Sequence, residues 1–312
     1  MFQQTIGSRI AFDGVGVHSG LPVQLSLLPA EANTGIVFHL FDGSELLHEI
    51  KATSANAALI DLATVVGDPR GAHVSTIEHL MASLYAMGVD NIVVQIDAQE
   101  TPIMDGCAAA FIAAIREAGT VSQACRRRYL RVLKPVTVEM NGAWAEYRPH
   151  NGTRFEVEIE FDSPAIGRQA YSADLTAERF ARDLSRARTF GFMKDVERLW
   201  AAGFALGSSL ENSVVIGEDG RVINPEGLRY KDEFVRHKTL DAIGDQALAG
   251  ARVLGCYRSY RGGHKLNALA LQALLADRRA YEMIEMPSRR VDPVRHAPLV
   301  AVAAPAYGPQ TL

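Results

Sequence analysis

Strand-like sequence followed by helix-like sequence occurs twice along this chain, and that repeated order is its strongest constraint on folding. In the first pass Val23–Leu28 (VQLSLL) alternates apolar and polar residues, and Gly35–Leu40 (GIVFHL) follows the turn-rich EANT. A helix is predicted from Ser75, carrying Ile77, Leu80, Met81, Leu84 and Tyr85, with Gly88 as its stop. Asn91–Ile96 (NIVVQI) reads as a strand, and PIMDG leads into a second helix from Cys107 to Ala118. After the basic run Arg126–Arg128 the order restarts. Strands are predicted at Leu130–Met140, Ala143–Tyr147 and Phe155–Phe161, then helical sequence at Ala177–Ser185. The stretch 189–213 follows neither period, and 214–223 is again strand-like. A long helix over Lys231–Leu248, a strand at Arg252–Tyr257 and a helix over His264–Ala280 complete the second pass. The expectation is an α+β chain of two units, 1–125 and 126–290, with a tail, 291–312, rich in Pro, Arg and Ala and poorly ordered.

Composition narrows the function classes. A net charge of -4 disfavours a sequence-independent grip on nucleic acid. Cys107, Cys125 and Cys256 are scattered and lack C-x-x-C spacing, which argues against a thiolate zinc knuckle or a disulfide framework. The start, MFQQTIGSRIAF, lacks the basic residues and apolar run of a signal peptide, and no apolar stretch is long enough for a transmembrane helix. The expected setting is the cytoplasm, and nothing demands assembly beyond a monomer.

The long helix carries the sharpest chemical signal. His237 and Asp241 are four residues apart and share one helical face, so an imidazole and a carboxylate can close on one divalent ion. Asp245 continues that stripe. The competing reading is a solvated polar face. A second signal is STIEH (75–79), in which Ser75 and Glu78 match the S-x-x-E capping box. That leaves His79 unexplained, either as a satisfied core histidine or as a ligand. A third is RGGHK (261–265), where paired glycines turn the chain into His264 near a helix N-terminus. The helix dipole disfavours an imidazolium there, so a protonated His264 requires a carboxylate partner, with Asp245 the candidate. Neither H-E-x-x-H nor H-x-x-E-H is present, so a zinc site would be assembled across distant helices. Two histidines and one carboxylate would leave the fourth position for water.

Taken in order, GVGVHSG (14–20), ANTGI (32–36), STIEHLMASL (75–84), GVDNIVV (88–94), PIMDG (102–106), RTFGFM (188–193), GLRYKDEFVRHKTLDAIGD (227–245) and GGHKLN (262–267) resemble the UDP-3-O-acyl-N-acetylglucosamine deacetylase family, zinc amidases of lipid A synthesis. The resemblance implies two βα sandwich domains packed with their helices inward, each with a small insert, near 62–72 and 189–213. It implies Zn2+ held by His79, His237 and Asp241, a set that also accepts Fe2+. Glu78 would be the general base and His264 the general acid, with Asp245 orienting His264. Lys238 and Thr189 would stabilise the oxyanion. Phe190 and Phe192 would line an acyl-chain passage, and His18, Arg261 and Lys265 would contact an acylated sugar nucleotide. The first insert reads DLATVVGDPRGAH, without the cysteine often found there in the family. In GAWAE (142–146), Ala143 stands before the Trp where relatives often carry a basic residue. Two rival classes remain at this point: a zinc peptidase, and a non-enzymatic binder of acylated sugar nucleotides.

Overall fold

The computed structural model describes residues 1–285, so the expected tail and the last residues of the second unit lie outside the described residues. The alternating sequence of the first half builds a five-stranded sheet in the order Ile10–Val15, Pro22–Pro29, Ile92–Ile96, Ile36–Asp42, Glu45–Lys51. Ile36–Asp42 runs parallel to Ile92–Ile96. Parallel neighbours need a crossover, and helix α1 (Glu78–Met87) lies on it. Helix α2 (Ala109–Ala118) follows the central strand.

The second half repeats this arrangement. A short helix α3 (Ala177–Arg179) runs into one π turn at Phe180–Leu184, and α4 (Met193–Ala201) follows. Strand Arg252–Tyr260 is central in a seven-stranded sheet and runs parallel to Thr153–Glu160. Helix α5 (Glu233–Ala247) lies on that crossover, and α6 (His264–Ala276) follows the central strand. Thus α1 and α5 hold corresponding places in the two halves. Among the described residues no strand before Arg126 pairs with one after Arg128, because Phe2–Ile6 returns to Thr120–Arg126. The mixed α+β architecture of sheets and inward helices follows the expectation.

The two crossover helices pack on each other, one from each half. Both are buried nearly all round, from Glu78 to Ala86 in α1 and over most of α5. A helix buried on every side belongs to the core, so its polar groups must find partners there. One small residue sets the approach. A Cβ on Gly244 would lie 2.1 Å from the carbonyl oxygen of Glu78, so only glycine lets α5 meet the first turn of α1. The stop at Gly88 also has a simple cause. Its φ of 78° is left-handed, and its N–H closes onto the carbonyls of Leu84 and Tyr85.

Several local expectations are corrected. Ser75 and Glu78 form no capping box: α1 begins at Glu78 without a side-chain cap. The Ser75 hydroxyl donates to the carbonyl of Gln99, and the Glu78 carboxylate accepts from the amide of Thr64. Leu130–Met140 is two strands, Arg128–Val132 and Val136–Met140, because Pro135 has no N–H to extend a ladder. The last helix ends at Ala276, and Tyr281–Glu285 is an additional strand beside Arg128–Val132. The two irregular stretches acquire structure of their own. Ala57–Ala58, Val65–Gly67 and His73–Val74 form a small antiparallel sheet around the first. In the second, Phe190–Phe192 pairs with Val214–Ile216 and encloses α4, none of whose residues is buried. Met193, Val196, Leu199 and Trp200 recur at helical spacing in α4, so the sequence does carry a helical period in a stretch expected to follow neither.

Gly244→Ala should therefore force the two helices apart. Urea unfolding is expected to show a loss of about 1–3 kcal/mol, as for other overpacked contacts. An unchanged midpoint would remove this contact from the structural argument.

Candidate metal and acid–base centre

The approach at Gly244 sets the first turn of α1 against the middle of α5, and their polar side chains meet. One ligand atom each from His79, His237 and Asp241 lies within 4.8 Å of the other two, and all three residues are buried. His237 Nε2 is 3.3 Å from Asp241 Oδ1, and His79 Nε2 is 3.7 Å from it. His237 Nδ1 lies 3.0 Å from the carbonyl oxygen of Ala187, which directs Nε2 toward Asp241. That carbonyl is itself anchored. The buried Arg188 guanidinium donates to Glu233 on α5, to Glu226 and to the carbonyl of Gly227.

The charges of this trio suit a divalent cation. Burial pushes the His79 imidazole down to about 3, and neighbouring His237 adds to the fall. Burial likewise lowers His237. Burial alone would raise Asp241, but His237 and Lys238 hold it below the usual carboxylate range. Two neutral imidazoles and one carboxylate result. Lys238 Nζ donates to Asp241 Oδ2 at 2.8 Å, whereas Asp241 Oδ1 is buried with no hydrogen-bond partner. An orphaned carboxylate oxygen facing two imidazole nitrogens is what a metal ion would satisfy. The residues present fit the group.

Glu78 and His264 face each other beside the trio, with His264 Nε2 at 3.9 Å from Glu78 Oε1 and 3.8 Å from Asp241 Oδ2. On the other side of the ring, Nδ1 is 3.2 Å from Asp245 Oδ2 and 3.0 Å from the Thr64 hydroxyl. Asp245 also accepts from Thr64 Oγ1 and, at 2.7 Å, from Asn267 Nδ2. Burial raises Glu78 to about 7 against the opposing charge of His264. Burial would lower His264, but Asp245 and Glu78 together raise it to about 9. Asp245 thus supplies the carboxylate that a charged His264 requires at the head of α6.

The remaining expected site residues fall into two groups. Lys238 is at the centre, paired with Asp241, which outweighs burial and raises its ammonium. Phe190 is also close, its ring 6.3 Å from that of His237, and both Phe190 and Phe192 pack on Phe161. Exposed Met193, Trp200, Leu206 and Leu210 continue the apolar surface along the second insert. Thr189 lies between Ala187 and Phe190, its amide donating to the carbonyl of Gly106. His18 reaches the second insert, where its ring meets Phe204 edge-on. Lys265 lies 3.9 Å from Asp61 of the first insert, and the amide of Arg261 donates to Glu158 with φ at 54°. Neither is joined to the centre by a recorded hydrogen bond or ion pair. Thr64, Asn267, Arg188, Glu233 and Phe161 were not singled out in the sequence. Their partners lie apart from them in the sequence, and the signals were the motifs RTFGFM, GLRYKDEFVRHKTLDAIGD and GGHKLN, which contain Arg188, Glu233 and Asn267.

The profile of the UDP-3-O-acyl N-acetylglycosamine deacetylase family matches residues 3–276. Among curated proteins, the UDP-3-O-acyl-N-acetylglucosamine deacetylases of Brucella ovis and Brucella canis are each 54% identical over 284 residues, covering 91% of this chain and 99% of the relative. That of Brucella melitensis is also 54% identical over 284 residues.

Asp241→Asn removes the anionic donor and weakens the tie to Lys238. Elemental analysis of purified protein should give about one divalent ion per chain for the parent and far less for the variant. Equal metal content in both would place the ion elsewhere.

Proposed function

This chain belongs to the UDP-3-O-acyl-N-acetylglucosamine deacetylase family, and we propose that His79, His237 and Asp241 hold the metal at which it removes the N-acetyl group. The enzyme is a hydrolytic deacetylase of lipid A biosynthesis, acting on a UDP-3-O-acyl-N-acetylglucosamine and releasing acetate and the free amine. The observation that carries the residue assignment is the unpartnered Asp241 Oδ1 among two neutral imidazoles, with Glu78 and His264 alongside. Zn2+ is the metal of this reading. Analysis of protein made without added zinc distinguishes it from Fe2+, which the same donors accept. A nucleotide-sugar substrate supports a cytoplasmic setting for the reaction. Among the described residues no helix is long and apolar enough to cross a membrane.

A divalent ion held by these residues supplies Lewis acidity, which acidifies water and polarises the acetamide carbonyl. Glu78 then acts as the base: Oε1 accepts a proton from the attacking water as its oxygen bonds to the carbonyl carbon. Glu78 Oε2 is held by the amide of Thr64, which aims the carboxylate into the site. Negative charge develops on the former carbonyl oxygen. The Lys238 ammonium has N–H donors beyond the one given to Asp241, and with the Thr189 hydroxyl it stabilises that charge. An amine leaves poorly as an anion, so His264 Nε2 delivers a proton to the nitrogen as the C–N bond breaks. Asp245 keeps Nδ1 protonated and the ring oriented. With Glu78 near 7 and His264 near 9, a carboxylate base and an imidazolium acid coexist between those values. Phe161, Phe190 and Phe192 form an apolar wall leading from His237, a route for the acyl chain. This reading assigns Lys265 and Arg261 to the polar end of the substrate.

The direct test is acetate release from the acylated sugar nucleotide, with metal analysis on the same sample. Chelation should abolish turnover and added Zn2+ restore it. Glu78→Gln should keep fold and metal while turnover falls about 100- to 10,000-fold. His264→Ala should lower kcat by a similar factor with metal content unchanged. Loss of metal in the second variant would make His264 a ligand, and full activity in the first would dismiss Glu78 as the base.

A further inference from the structure

Glu100 is a buried carboxylate outside the machinery described above, and all of its recorded bonds go to two places. Oε1 accepts from the amide of His18 at 2.8 Å and from the Thr76 hydroxyl at 3.0 Å. Oε2 accepts from the amide and the hydroxyl of Ser19 at 2.8 and 2.6 Å. One carboxylate therefore joins the 16–20 loop to the residue two before Glu78. The fit is close. A Cβ on Gly16 would lie 2.1 Å from Glu100 Oε2, and one on Gly207 would lie 2.2 Å from the carbonyl oxygen of Gly16.

The loop held in this way also holds the second insert. The carbonyls of Val17 and His18 accept from the amides of Gly207 and Leu206, each at 3.0 Å. His18 Nδ1 faces the amide of Ala205 at 3.4 Å, and the ring packs edge-on against Phe204 at 5.4 Å. Thus His18 braces the second insert through both its backbone and its ring.

The two arms of Glu100 are not equally dependent on it. Thr76 stands at a φ of 57°, a strained setting for a β-branched residue. It is also held by the Thr101 hydroxyl, which donates to its carbonyl at 2.5 Å, while Ser75 pairs with Gln99 and Thr101 through the backbone. The entry to α1 therefore keeps its shape without Glu100. The amides of His18 and Ser19 have no recorded acceptor other than this carboxylate.

We propose that Glu100 is a positioning residue for substrate affinity: its carboxylate fixes the 16–20 loop so that His18 clasps the second insert where the substrate passes. The proposal rests on the deacetylase reading. Glu100 touches neither the reacting groups nor the metal donors, so its effect belongs to binding rather than to the chemical step. Glu100→Gln is isosteric, yet an amide has a single acceptor oxygen. It must turn its NH2 group toward one pair of donors, leaving a buried N–H and an O–H facing N–H.

The test is steady-state deacetylation by the metal-loaded full chain in five forms: parent, Glu100→Gln, His18→Ala, the double variant and Ser19→Ala. Glu100→Gln and His18→Ala should each raise KM about tenfold, with kcat within about threefold and metal content unchanged. The double variant should be no worse than His18→Ala alone, because the two act through one contact. Ser19→Ala, which removes a single hydroxyl bond, should raise KM about two- to threefold. An unchanged KM in Glu100→Gln, a fall in kcat at constant KM, or KM effects that multiply in the double variant would overturn the proposal. If Glu100→Gln does not fold, Ser19→Ala decides, and an unchanged KM there overturns it. Absence of acetate release by the parent would instead refute the deacetylase reading.

Discussion

The contact between Gly244 and the backbone of Glu78 determines what the rest of the molecule can do. Each half of the chain must cross from one parallel strand to another, and each uses a helix, α1 or α5, that ends up between the sheets. Helices buried there would ordinarily be apolar. Here Glu78 and His79 on one, and His237, Lys238, Asp241 and Asp245 on the other, are carried into the interior. Burying an isolated charge costs several kcal/mol, and each such group alone would be destabilising. Close approach at a residue without a side chain lets them meet across the interface. The same close approach that excludes a Cβ at Gly244 brings donor and acceptor within reach of each other.

That pairing is unequal, and the inequality is where chemistry becomes possible. Lys238 satisfies one oxygen of Asp241 and leaves the other bare. Asp245 is saturated by Thr64, Asn267 and His264, so its charge serves to hold a proton on the imidazole. Glu78 has one oxygen held by an amide and the other facing His264 across 3.9 Å, too long for a hydrogen bond. A core selected for stability alone would close that gap. The open distance, the bare oxygen and the displaced pKa values of Glu78 and His264 all lie at one place, as expected where strain is retained for function.

The parts of this arrangement legible in the sequence were those governed by local geometry. Four-residue spacing put His237 and Asp241 on one face, alternation marked the strands of the first sheet, and Gly88 marked the end of α1. His79 could not be assigned that way, because its meaning depends on a helix more than a hundred residues away; only the ordered motifs around it indicated a role. The same distance hid Thr64, whose partners Asp245 and His264 are far along the chain. The S-x-x-E pattern misled for an informative reason. A capping box needs Ser75 in the cap position, but Ser75 is paired with Gln99 and Thr101, and the helix starts later. Tertiary pairing overrode a local signal. The failure also leaves the Glu78 carboxylate without a capping role.

The segment from Ala187 to Phe192 links the proposed metal donors to the apolar wall. Arg188, buried against Glu233, fixes the backbone on α5 itself, so this strand of the second insert is referred to the same helix that carries His237 and Asp241. One residue earlier, the carbonyl of Ala187 orients His237. Two residues later, Phe190 turns its ring toward His237 and packs on Phe161 and Phe234. A change that moved the aromatic wall would therefore also move the acceptor that sets an imidazole of the proposed metal site. Under the proposed assignment, acyl recognition and metal geometry are then not independent properties of this fold. The insert is anchored to the reaction centre by a buried ion pair and clasped at its far end by the 16–20 loop, so selection at either end acts on both.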